Sequence, residues 1–291
     1  MPNASDASAA SIRLDADALK IGADFLPRLW SALILAPLVV FAAVWGGGPF
    51  LLMIGIAAVL VLWEWTTITH AQPKATLIGL GSVSLVAALI EIELGVPVAA
   101  IGAIVLGVAA AAFVATGGAS ARLWALFGVL YAAGLAIPAL ILRDDPMLGL
   151  ASIVWLFAVV WSTDIAAYFC GRLIGGPKLW PRVSPNKTWS GALGGTLFAT
   201  LAGMLTVYLF GIDSALFAAP AALVASVASQ GGDLFESSMK RRCGVKDSSH
   251  LIPGHGGLMD RLDGFIAAAV LALVIGLIRN PGAPAQGLLL W

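Results

Sequence analysis

Nine stretches of 14 to 25 residues pass without one Asp, Glu, Lys or Arg: 29–45, 50–63, 75–90, 94–116, 123–142, 146–163, 188–212, 214–232 and 264–278. A bilayer core about 30 Å thick is crossed by roughly 20 apolar helical residues, so such runs are the right order of length to span it. They are continuously apolar, whereas the strands of a membrane barrel alternate, and helices satisfy their own backbone in lipid. With 60% hydrophobic and only 11% charged residues, against about 25% charged in soluble domains, the chain cannot present a mostly wet surface. The expected fold is all-α: a polytopic integral membrane helical bundle with about nine transmembrane helices. Residues 1–27 are polar and mixed in charge with no apolar core, which reads as a disordered cytoplasmic tail and not as a signal peptide. Residues 28–291 then form a single integral membrane domain.

Sixteen Lys and Arg balance sixteen Asp and Glu, which removes any bulk electrostatic argument for a nucleic-acid partner. The placement of the cations is informative instead. With nine spans, the tail and the even-numbered connections hold Arg13, Lys20, Arg28, Lys74, Arg122, Arg172, Lys178, Arg182, Lys187, Lys240, Arg241, Arg242, Lys246 and Arg261. The opposite side holds only Arg143 and Arg279. By the positive-inside rule the first side, with the N-terminus, is cytoplasmic. The two cysteines, Cys170 and Cys243, fit neither a disulfide framework nor a CxxC metal site and read as free thiols.

Two cytoplasmic segments, 164–191 and 230–263, carry more functional groups than a connecting loop needs. In the second, Asp233, Ser237, Lys240 and Arg241 fall at i, i+4, i+7 and i+8, along one face of a helix leaving the membrane. An acid, a hydroxyl and two cations make a surface for phosphate and a divalent metal, since Mg²⁺ takes one or two carboxylates plus phosphate oxygens. Lys246-Asp247 follows, then Pro-Gly-His-Gly-Gly around His255, then Asp260, Arg261 and Asp263 before the last apolar run. Asp260 and Asp263 suit either the capping of that helix at its positive end or, for Asp260 with Asp233, a two-carboxylate metal site. In the first segment Asp164, Tyr168 and Arg172 share a helical face, and Lys178, Arg182 and Lys187 form a basic loop that would also suit anionic lipid headgroups.

From Ser237 through Lys240-Arg241 and Lys246-Asp247 to Ile252-Pro-Gly-His255-Gly-Gly-Leu-Met-Asp260-Arg261-Leu-Asp263, all 27 positions resemble the signature of the phosphatidate cytidylyltransferase family, the CDP-diacylglycerol synthases. Gln230-Gly-Gly-Asp233 and Asp164 to Arg172 are similar to the same family. Residues 184–191 read SPNKTWSG, so Asn186 and Ser190 stand where the family usually has lysine and glutamate.

The resemblance implies transfer of a cytidylyl group from CTP to phosphatidate, giving CDP-diacylglycerol and pyrophosphate with Mg²⁺, in a multi-pass protein of the inner cell membrane that could pair as a homodimer. It implies catalytic roles for Asp233, Asp260, Lys240 and Arg241, with Asp233, Asp260 and Ser237 toward the metal. Lys246, Asp247, His255, Arg261, Asp263, Lys187, Arg172 and Asp164 are then substrate-binding, His255 as a positioning group. Such transfers depend on alignment and charge neutralisation more than on a covalent nucleophile. A transporter is the rival reading of many spans, but its usual marks are internal repeats around a midplane site, and the polar groups here gather at one end of the helices.

Overall fold

The computed structural model describes residues 27, 29–31, 33–213 and 215–291. The tail expected over 1–27 lies outside them except for Pro27, as do Arg13, Lys20 and Arg28 of the charge count. The chain is a succession of helices: α1 (Leu29–Trp45), α2 (Gly47–Ile68), α3 (Lys74–Glu93), α4 (Pro97–Val114), α5 (Ala119–Arg143) and α6 (Gly149–Leu173). A short antiparallel hairpin of β1 (Lys178–Trp180) and β2 (Ser184–Thr188) follows. Then come α7 (Trp189–Leu209), α8 (Ala219–Arg242), α9 (Met259–Arg279) and the single-turn α10 (Pro284–Leu289).

Each of the nine apolar runs falls on one of the helices α1 to α9. Among the described residues seven, α2 to α7 and α9, are long and apolar enough to cross a membrane. The expected number of nine therefore rests on α1, which has only 17 residues, and on α8, whose last ten residues include Asp233, Glu236, Lys240, Arg241 and Arg242. α9 also starts earlier than its apolar run, so that Asp260 and Asp263 belong to its first two turns. The hairpin was not anticipated.

The bundle is apolar on both sides of its helices. Trp65, Trp155, Phe50 and Leu135 are sealed inside, while Phe113, Val98 and Leu193 stand on the outer surface, as expected where the surroundings are hydrocarbon. In lipid the helices gain little from hiding apolar surface, so close backbone approach through small residues holds them together. At Gly195 of α7 a Cβ would lie 2.8 Å from the carbonyl oxygen of Thr163 in α6, and at Gly232 of α8 it would lie 2.5 Å from that of Asp263 in α9. These two crossings set the polar ends of α6, α7, α8 and α9 side by side. Thr163 and Ser226 join α6 to α8 by a buried hydroxyl pair at 2.7 Å.

Candidate active site

The polar ends of α6, α8 and α9, the hairpin and the start of α7 enclose a cavity of about 820 Å³. Its wall mixes charges: α6 brings Asp164 and Arg172, the hairpin brings Lys178 and Lys187, and α8 and α9 bring Asp233, Glu236, Asp260 and Asp263. Ser237, Lys240, Asp247 and Arg261 complete the lining among the sequence-selected residues.

The hairpin positions its cations through local bonds. Thr188 is the N-cap of α7, its hydroxyl oxygen accepting from the Gly191 amide at 3.1 Å, which satisfies one of the orphan donors of a helix start. Ser190 donates to the Gly175 carbonyl and so ties the base of the hairpin to α7. Asn186, the other departure from the family pattern, lies in the cavity wall. Lys187, beside the cap, forms an ion pair with Asp233, whose other oxygen accepts from Ser237 at 3.3 Å. On α6 Arg172 donates to the Tyr168 hydroxyl at 2.7 Å, as the shared face predicts.

A second, more buried group stands behind this one. Lys240 Nζ is 2.6 Å from Asp260 Oδ1 and 2.7 Å from Glu236 Oε2. Asp260 also accepts from the backbone amides of Ser248, at 3.0 Å, and Gly257, at 2.9 Å. Burial, and then the charge of Asp263, push the Glu236 carboxyl up to about 9, which favours its protonated form. Burial alone would pull the Lys240 ammonium down, but the carboxyl groups of Glu236 and Asp260 outweigh it and hold it up. One cation and one carboxylate then balance, and the neutral acid adds no unpaired charge, the arrangement that a low-dielectric site tolerates.

Of the residues selected from sequence, Arg182, Arg241, Lys246 and His255 lie outside the cavity lining. Arg241 shows why a helical-face count runs out. Eight residues after Asp233 it is rotated by about 80°, and its guanidinium donates to the Val245 carbonyl in the loop that follows α8. His255 offers its carbonyl oxygen to Arg261 at 2.7 and 3.0 Å, and its buried Nδ1 has no partner among the described residues. Both cysteines are free. Sequence reasoning missed Glu236, one residue before the signature, and Asn186 as a wall residue.

Among the described residues no three His, Cys, Asp or Glu side chains form a ready-made ligand set. The carboxylate set of Asp233, Asp260 and Asp263 in the cavity wall is of the oxygen type that a Mg²⁺ ion takes, with waters and phosphate oxygens completing its shell. It does not fit a closed structural zinc site, which needs four nitrogen or sulfur ligands.

Residues 26–278 match the profile of the cytidylyltransferase family. The phosphatidate cytidylyltransferases of Brucella suis biovar 1 (strain 1330) and Brucella melitensis biotype 1 are each 41% identical to the chain over 261 residues, covering 88% of it and 95% of their own length. That of Bacillus subtilis (strain 168) is 41% identical over 133 residues, 43% of this chain and 47% of its own. A profile that runs from before α1 into the last turn of α9, and relatives matched over nearly their whole length, place the chain in the cytidylyltransferase family.

Proposed function

We propose that the protein transfers a cytidylyl group from CTP to phosphatidate, forming CDP-diacylglycerol and pyrophosphate. The observation that carries this reading is the near-full-length likeness to phosphatidate cytidylyltransferases. A cavity lined by both cations and acids at one end of an apolar bundle supports it, because the reaction joins a water-soluble nucleotide to a lipid.

A phosphate oxygen of phosphatidate attacks the α-phosphorus of CTP. The new O–P bond forms as the bond from the α-phosphorus to the bridging oxygen breaks, and pyrophosphate leaves. A phosphate monoester has a second pKa near 6 and is already largely a dianion at neutral pH, so no strong general base is required. The need is to bring anions together and hold their charge. Arg172 and the hairpin's Lys178 and Lys187 supply cations, and α8 and α9 add Lys240 and Arg261.

Asp233 and Asp260 would hold Mg²⁺, with Ser237 and Asp263 beside them; when bound, the ion neutralises charge on the phosphates. Asp233 is suited to this by a carboxylate that is partly exposed to the cavity. The excess of cations on connections that include the hairpin supports a cytoplasmic site in the cell membrane.

The test is purified protein in detergent with phosphatidate, labelled CTP and Mg²⁺, and an EDTA control. The expected result is label in lipid with equimolar pyrophosphate, lost on chelation. Folded protein that labels none of several lipid phosphates would overturn the reading.

A further inference from the structure

Glu64 lies near the end of the spanning helix α2, fully buried, in a stretch otherwise free of charge. An ionisable group in such a place calls for a stated reason. Its partners come from 185 to 195 residues along the chain. Oε1 accepts from the Ser249 hydroxyl at 2.6 Å and from the Leu258 amide at 2.8 Å, and Oε2 accepts from the Met259 amide at 2.6 Å. Leu258 and Met259 open α9, where amides have no partner within the helix and the helix dipole favours an anion. α9 has no side-chain cap of its own at Leu258. A carboxylate from α2 takes that place.

The donors to Glu64 interleave with those to Asp260. Along the loop, Ser248 donates to Asp260 and Ser249 to Glu64, then Gly257 to Asp260, and Leu258 and Met259 to Glu64. The two carboxylates therefore hold one loop from opposite sides. Gly257 sits in the space between them: a Cβ there would overlap the Ser248 hydroxyl and lie 2.6 Å from Glu64 Oε1. Asp260 lines the cavity and Glu64 does not.

We infer that Glu64 is a positioning residue for the cytidylyl-transfer site: by clamping residues 248–259 it fixes the amides that orient Asp260. The inference rests on the proposed function for its catalytic consequence, though not for the ordering of the loop.

The experiment has two arms on full-length protein in detergent: steady-state kinetics, and amide hydrogen exchange over 248–259. Glu64→Gln keeps one acceptor oxygen but turns an NH₂ toward the Met259 amide, and Ser249→Ala removes one of three donors, along with the acceptor of the Leu251 amide, while leaving the helix start intact. Expected for Glu64→Gln are a fall in kcat of about tenfold with KM for CTP within about threefold, and exchange at 248–259 at least about tenfold faster with α3 and α4 unchanged. Ser249→Ala should lower kcat about threefold at unchanged Tm, and Glu64→Ala should lose more activity than Glu64→Gln. Variants that fold and keep kcat within twofold of wild type, or leave exchange in the loop unchanged, would overturn the inference. If Glu64→Ala does not fold, Glu64→Gln and Ser249→Ala decide the matter. Wild-type protein that transfers no label would sink the proposed function instead, and the exchange arm would still decide whether Glu64 orders the loop.

Discussion

At the scale of single residues, the neutral acid Glu236 gives the site a pH signature. Its carboxyl is held up to about 9 in the folded protein and returns to the ordinary range, near 4.3, on unfolding. Below that ordinary value both states are protonated and pH has no effect through this group. As pH rises toward 9 the unfolded state ionises first, so the wild type loses stability relative to a variant that cannot ionise. Glu236→Gln should therefore gain on wild type in thermal midpoint steadily between pH 5 and 9, and level off above. Paired midpoints in the same detergent across that range check it. Were Glu236 a carboxylate paired to Lys240 at neutral pH, Gln would be the less stable protein at pH 7 to 8. None of this was legible beforehand, because a glutamate three residues after Asp233 looks like any other polar side chain on a basic helix end. What sets it apart is burial against α9, a tertiary fact.

At the scale of elements, the helices were readable and the hairpin was not, for one physical reason. A helix of 20 residues repeats its signal many times, and uncharged length alone marks it. β1 and β2 have three and five residues, an irregular register and a proline, so they give no alternation to detect. Their order comes from what they adjoin, above all the cap at Thr188. Thr188 is buried, and its hydroxyl oxygen meets the Gly191 amide where α7 begins. Thr188→Val keeps the shape and removes the acceptor, which should cost about 1 kcal/mol, measured as a shift in denaturation midpoint in mixed micelles. An unchanged midpoint would mean that the Thr188 hydroxyl contributes nothing to the start of α7. The helical face of Asp164, Tyr168 and Arg172 was legible because its partners are local. The capping of α9 by Glu64 was not, since nothing in residues 248–263 points to α2.

At the scale of the whole molecule, the cavity constrains the path of the chain through the membrane. The hairpin before α7 and Asp247 after α8 line the same space, so α7 and α8 together must leave this face and return to it. α7 is long and apolar enough to cross. The return therefore falls to α8 as a whole, uncharged over 219–232, with Asp233, Glu236, Ser237 and Lys240 beyond Gly232 in the cavity wall. By length and composition alone α8 is not among the helices able to cross. The same parity puts the α5–α6 connection on the far face, one crossing before the hairpin. In protein with Cys170 and Cys243 replaced by serine, single cysteines at Lys74 and Arg182 should react with an impermeant maleimide from one face of sealed vesicles. Cysteines at Asp145 and Asp213 should react only from the other. With the orientation proposed from the cations, Lys74 and Arg182 label in inverted vesicles and Asp145 and Asp213 in right-side-out ones. Labelling of Asp213 together with Arg182 would mean that α7 and α8 do not make the round trip, and the cavity could not then be assembled from both.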